Sequence, residues 1–151
     1  MASEQLKLKN QLCFPVYAAS RLIIREYQPH LDKLGITYPQ YLVLMILWES
    51  DGITVNDITQ SLMLNTNTVT PLLKRMAALR LITRERSKSD ERKVIIKLTE
   101  KGKKMHDQAI AIPEMLAQKL LAGPLDENEL LDLKEKLYRI IGFLSSKSAK
   151  K

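Results

Sequence analysis

A chain of 151 residues, 45% of them hydrophobic, is long enough to bury a core in one compact domain, and two independent domains are not expected. Its formal charge of +7 is unevenly spread, with twelve of the 24 Lys and Arg residues between Lys74 and Lys104 against four acids, Glu85, Asp90, Glu91 and Glu100. Such a basic block points to a polyanionic partner, although a solvated surface would have the same composition. No apolar run approaches the ~20 residues that a membrane helix needs, and the opening MASEQLKLKN has no apolar signal stretch, so a cytoplasmic protein without membrane contact is expected.

The stretch NQLCFPVY at 10–17 carries the only cysteine, Cys13. A lone thiol cannot staple its own chain, so it is either a small buried hydrophobe or a reactive group. Pro15 places it at or just before a helix N-terminus, because proline is tolerated chiefly in the first helical turn. Backbone N–H groups at such an end favour the negatively charged thiolate. The helical pattern runs from about Pro15 to Tyr27 and is expected to stop at Pro29. A second helix fits Pro39 to Glu49, with Tyr41, Leu42, Met45 and Trp48 as its apolar stripe. Thr54-Val55-Asn56-Asp57 matches a capping box and starts a short helix to about Leu62. A turn at Met63 to Asn65 leads into another helix, ending near Arg80. On it Val69, Leu72, Leu73, Met76 and Leu79 form an apolar side, Thr66, Asn67, Thr70 and Lys74 face outward, and Arg75 lies near the edge. The period then changes to two, and LITRER and KVIIKL read as a hairpin joined by SKSDE. Thr99 is expected to cap one long helix to about Leu121, broken by Gly123-Pro124. Asp126 with Glu129 caps a last helix, whose Leu130, Leu133, Leu137, Ile140 and Leu144 follow a coiled-coil-like spacing, and the polar tail SSKSAKK is expected to fray.

Short helix, turn, second helix and basic hairpin is the order of a winged helix-turn-helix, a mainly α fold with a small β hairpin. In that arrangement the second helix enters the major groove of double-stranded DNA and the hairpin reaches along the backbone. The candidate DNA contacts are Thr66, Asn67, Thr68, Thr70, Lys74 and Arg75 on the helix, and Arg84, Arg86, Lys88 and Arg92 on the hairpin. Asp90 is expected to fix the Arg92 side chain by an ion pair. An ordinary amphipathic core helix has the same periodicity, so it is the adjacent basic hairpin that favours DNA. His30 and His106 stand far apart with no ligand-like spacing, so no metal is expected. The chain has no phosphate-binding glycine loop and no nucleophile elbow, so no cofactor and no classical enzyme activity are expected.

Taken together, NQLCF, GITYPQYLVLMILWE, TPLLKRM, LITRERS and DERKVIIKLTEKG resemble the MarR-type winged-helix regulators, specifically their organic-hydroperoxide-sensing, OhrR-like branch. The resemblance runs from about Asn10 to Pro124. It implies a homodimer on a palindromic operator: one domain over 1–151, with dimerisation helices at about 10–36 and 99–147 and the winged helix-turn-helix at about 38–98. By motif position the family's reactive cysteine falls on Cys13, its two partner tyrosines on Tyr27 and Tyr38, and its wing-tip acid and arginine on Asp90 and Arg92. Tyr17, one helical turn from Cys13, is a further candidate beside the thiol. Helical rise puts Tyr27 about 20 Å from its own Cys13, so only an antiparallel crossing in a dimer could bring Tyr27 of one subunit to Cys13 of the other. Where the branch commonly reads acid-Ser-Gly-Thr before the Thr-Pro of the recognition helix, this chain reads Asn65-Thr66-Asn67-Thr68, keeping the hydroxyls but neither the acid nor the glycine. With no second cysteine, the implied scheme takes Cys13 to a sulfenic acid that condenses with a low-molecular-weight thiol or oxidises further. The expected function is a repressor that leaves its operator when an organic hydroperoxide oxidises Cys13. Two alternatives stay open: a regulator released by a small phenolic or apolar ligand with Cys13 structural, and a one-cysteine thiol peroxidase, which would leave the basic hairpin unexplained.

Overall fold

The computed structural model describes residues 3–148. Two compact units follow one another, the first ending at Ile112 and the second starting at Pro113. After two short 3-10 turns, the first unit contains α1 (Cys13–Leu34), α2 (Tyr38–Glu49), β1 (Ile53–Thr54), α3 (Val55–Leu62), α4 (Thr66–Ala78), β2 (Ile82–Arg86), β3 (Val94–Leu98) and α5 (Glu100–Ala109). Next come α6 (Ile112–Leu121), which begins at the junction, and α7 (Glu127–Ser148). No helix among the described residues is long and apolar enough to cross a membrane.

α1 begins at Cys13 with Pro15 in its first turn, but it does not stop at Pro29. The proline removes one helical hydrogen bond, and the helix continues because Leu31, one turn from its end, is fully buried in the core. Termination falls instead to Gly35, whose φ of 68° suits glycine, with Gly35 N–H donating to the Asp32 carbonyl and Ile36 N–H to that of Leu31. α2 is entered through Thr37, whose backbone N–H donates to Gln40 Oε1 at 2.9 Å. Its stripe differs from the one expected: Tyr41, Val43, Leu44 and Leu47 are buried, Leu42 and Trp48 only partly, and Met45 is exposed. The helix is apolar all round, so spacing could not choose its inner face.

The capping box of α3 forms as expected: Asp57 N–H donates to Thr54 Oγ1 at 3.1 Å and Thr54 N–H to Asp57 Oδ2 at 2.9 Å. α4 buries Val69, Leu72, Leu73 and Met76, whereas Leu79 lies past the helix end and is exposed. The expected hairpin gains a third strand, giving an antiparallel sheet in the order β1-β3-β2 with Ile53 opposite Ile96 and Arg84 opposite Ile96 on the other side. Two residues carry too little pattern to read as a strand. β1 is held from outside its own span, because Asp51 Oδ1 accepts from Leu98 N–H at 2.8 Å. Leu31, Leu44, Leu47, Ile58, Leu73, Met76, Leu81 and Ile96 are fully buried, each contributing about 1.5–3 kcal/mol by leaving water.

Thr99 caps α5, accepting from Gly102 N–H at 3.1 Å while its own hydroxyl donates to the Arg80 carbonyl at 2.6 Å. The single long helix expected from Thr99 to Leu121 is two helices, parted at Ile110 and Ala111. Pro113 has no N–H for the α5 ladder and its ring would meet the preceding turn, so it sits in the first turn of a new helix instead. α7 starts on its expected box, with Glu129 N–H to Asp126 Oδ1 and Asp126 N–H to Glu129 Oε2 both at 2.9 Å. It continues to Ser148, through part of the tail expected to fray; residues 149–151 of that tail lie outside the described residues. Along α7 Leu133, Ile140 and Leu144 are exposed and Leu130 and Leu137 half-buried.

Candidate nucleic-acid interface and thiol site

The N-terminal ends of α3 and α4 and the two wing strands border one open cleft of about 550 Å³. Four of the residues singled out for DNA contact line it: Thr66 and Thr70 in the first turns of α4, Arg84 on β2 and Arg92 just before β3. Strand alternation explains Arg84, since Ile82, Arg84 and Arg86 share a face and Ile82 at its root is buried. Arg84 is itself half-buried, and its Nε is buried with no hydrogen-bond partner among the described residues. Arg92 stands 92% exposed and is tethered by Asp90, whose Oδ1 takes both its Nε at 3.2 Å and its backbone N–H at 3.1 Å. Asn67, Thr68, Lys74 and Arg75 are exposed on α4 but outside the cleft lining, as are Arg86 and Lys88 on the wing.

Six further residues line the cleft that were not among the candidate DNA contacts: Thr54, Val55, Asn56, Asp57, Lys93 and Val94. The capping box at 54–57 marked the start of α3, but only the tertiary fold sets that start beside the wing. Asp57 is the acid in this basic surround. Hydrogen bonds from the Thr54 side chain and backbone hold its carboxyl below the usual carboxylate range, with Lys93 adding to the effect. The helix ends contribute positive partial charge to the cations, so the cleft favours an anion with spaced oxygens.

Cys13 is exposed, so within the chain it is not the small buried hydrophobe that the sequence also allowed. Leu12 just before α1, and Phe14, Val16, Tyr17 and Leu22 on its N-terminal half, are exposed too. Tyr17 is met by the Arg21 guanidinium 5.4 Å from its ring centroid. Tyr27, about 20 Å from Cys13 along the same helix, packs against Tyr38 with ring centroids 5.0 Å apart and planes inclined by 54°. Tyr41 completes a triangle, 5.9 Å from Tyr27 and 6.3 Å from Tyr38. Burial, then the neighbouring Tyr38 and Tyr41 hydroxyls, push the Tyr27 phenol up to about 12, and burial also raises those of Tyr38 and Tyr41. All three are therefore neutral hydrogen-bond donors near pH 7. Tyr41 was legible as an i+3 neighbour of Tyr38, but its spacing fitted a core stripe equally well.

The comparisons agree with this geometry. Residues 25–109 match the family described as transcriptional regulator SarA/Rot. The organic hydroperoxide resistance transcriptional regulator of Bacillus subtilis (strain 168) is 45% identical over 145 residues, 96% of this chain and 97% of that protein. Among solved structures, reduced AbfR bound to DNA is 39% identical with a TM-score of 0.76, covering 97% of this chain and 98% of the other. Overoxidized AbfR bound to DNA is 40% identical with a TM-score of 0.73, covering 95% and 99%. With a helix-turn-helix, a basic wing and relatives of this similarity over nearly its whole length, the chain belongs to the winged-helix transcriptional regulators of the SarA/Rot and MarR type.

Proposed function

We propose that this regulator is a cytoplasmic homodimeric repressor that binds a palindromic operator and releases it when an organic hydroperoxide oxidises Cys13. The observation that carries the reading is the position of the lone thiol, exposed at the first residue of α1 amid similarly exposed apolar side chains. Those side chains, with the dimerisation helices at about 10–36 and 99–147, suit a second copy of the chain. Tyr27 and Tyr38 of the opposite subunit then reach Cys13, and Tyr17 lies one turn from it. Thr66, Asn67, Thr68, Thr70, Lys74 and Arg75 face the major groove, and Arg84, Arg86, Lys88 and the Asp90-held Arg92 follow the backbone.

The chemistry needs only the thiolate and the peroxide. Sulfur attacks the distal peroxide oxygen, an S–O bond forms as the O–O bond breaks, and two electrons pass from sulfur to the peroxide. The leaving alkoxide takes a proton from solvent and departs as the alcohol. The Cys13 sulfenic acid then condenses with a low-molecular-weight thiol, giving a mixed disulfide and water. The larger sulfur group cannot keep its tyrosine hydrogen bonds, and the subunits shift. The recognition helices of a dimer must stand about 34 Å apart to meet successive major grooves, so a small rotation costs both half-sites.

One experiment tests the reading: intact mass and operator binding measured after one equivalent of cumene hydroperoxide with free cysteine present. The sensor gains an adduct at Cys13 and leaves DNA, and when further peroxide is added it consumes no more. A regulator released by a phenolic ligand would do neither, and a thiol peroxidase would consume peroxide repeatedly. Mixed dimers test the crossed pairing. A dimer with Cys13→Ser in one subunit and Tyr27→Phe in the other retains the tyrosine opposite its only thiol, whereas both changes in one subunit remove it. Equal peroxide responses from the two would refute a crossed site.

A further inference from the structure

The tyrosine triangle is the beginning of a longer contact path. Tyr41 is only 2% exposed and meets Trp48 edge-on, with centroids 6.3 Å apart. Trp48 lies on the last turn of α2, and its Nε1 donates to the Gly102 carbonyl of α5 at 3.0 Å. The His106 ring closes the indole from α5 at 5.4 Å. Gly102 is fixed to the root of the wing. Its N–H bonds Thr99 Oγ1 at 3.1 Å, Thr99 N–H bonds the Leu81 carbonyl at 3.0 Å, and Leu81 N–H bonds the Met76 carbonyl of α4 at 3.1 Å. There is no slack at this joint, because a Cβ on Gly102 would lie 2.2 Å from the Leu81 carbonyl oxygen.

We infer that Trp48 is a positioning residue that carries a displacement of Tyr27 and Tyr38 to the wing root and the end of the recognition helix. This role rests on the reading of Cys13 and the two tyrosines given above. The physical case is that a close-packed interior transmits a shift instead of absorbing it, and here every step is a ring contact or a hydrogen bond. Tryptophan suits the joint because it offers a large flat apolar face to Tyr41 and one N–H, a donor only, to the carbonyl of Gly102. Phenylalanine would keep the first function and lose the second.

The test uses the full-length dimer, its operator, cumene hydroperoxide and free cysteine. Trp48 is the only tryptophan, so its emission in the wild-type protein reports this joint alone. Emission is expected to change at the rate at which the Cys13 adduct appears by mass, and to stay constant in Cys13→Ser. Trp48→Phe is expected to form the adduct at the wild-type rate and to bind the operator when reduced, while its ratio of oxidised to reduced Kd narrows at least about five-fold. A purely structural tryptophan would weaken both Kd values together and leave the ratio unchanged. That unchanged ratio, or a wild-type emission that is constant while DNA is released, would overturn the role of Trp48. Should Trp48→Phe fail to fold, the wild-type emission decides alone. Oxidised wild type that keeps its operator would overturn the functional reading, and this role with it.

Discussion

Replacing Arg92 by alanine is a quantitative probe of the wing. The side chain is 92% exposed, and Asp90 engages its Nε, so the outer part of the guanidinium stands free of the fold. Its loss should cost little stability, since an exposed ion pair contributes about 0–1 kcal/mol. If the free end meets one phosphate in each subunit, a dimer loses two phosphate contacts. The slope of log K against log salt then becomes shallower by about 1.8, taking about 0.9 for each. Between about 50 and 200 mM salt that difference is a factor of about 12, so the affinity penalty of Arg92→Ala should shrink ~12-fold over this range. Operator titrations by fluorescence anisotropy at several salt concentrations measure it directly. Affinity and slope both unchanged would place the wing away from DNA. A large penalty with an unchanged slope would refute the phosphate contact and make Arg92 a reader of base edges.

Cys13→Ser should bind the operator and ignore cumene hydroperoxide in an electrophoretic shift assay; normal release by this variant would remove Cys13 from the mechanism. Gly102→Ala puts a methyl group 2.2 Å from the Leu81 carbonyl oxygen, and overpacking against backbone should cost about 1–3 kcal/mol, or roughly 2–12 °C in Tm for a chain of this size. A Tm equal to wild type would show that the backbone at Leu81 yields freely. The Tyr27 phenol, raised from 10.0 to about 12 in the fold, holds its proton more tightly there than in the unfolded chain. Its contribution to stability is therefore full below pH 10 and lost as pH rises to about 12, and Tyr27→Phe should flatten the fall of Tm over that window. A fall as steep in the variant would mean that other groups govern it.

Much of the architecture rests on short-range signals. The boxes at Thr54/Asp57 and Asp126/Glu129 form within one helical turn, so the residues that make them are adjacent in the chain and the start of each helix is legible there. Pro15 set Cys13 at a helix start for the same local reason, and the switch of period at Leu81 marked the wing. Pro113 was a local signal too, and the helix expected from Thr99 to Leu121 ran through it. The remaining features depend on partners far along the chain. Continuation of α1 past Pro29 is decided by the burial of Leu31, and the inner face of α2 by what surrounds it. β1 exists because Asp51 and Ile53 meet β3 more than forty residues later. The same holds at the candidate sites: Asn56 and Lys93 join Thr66 and Arg92 only when α3 folds against the wing, and Trp48 finds Gly102 fifty-four residues on. Periodicity reports which side of an element is apolar, whereas contact across such distances is chosen by the packing of the whole core, in which each face is buried against whichever element fills it at native density.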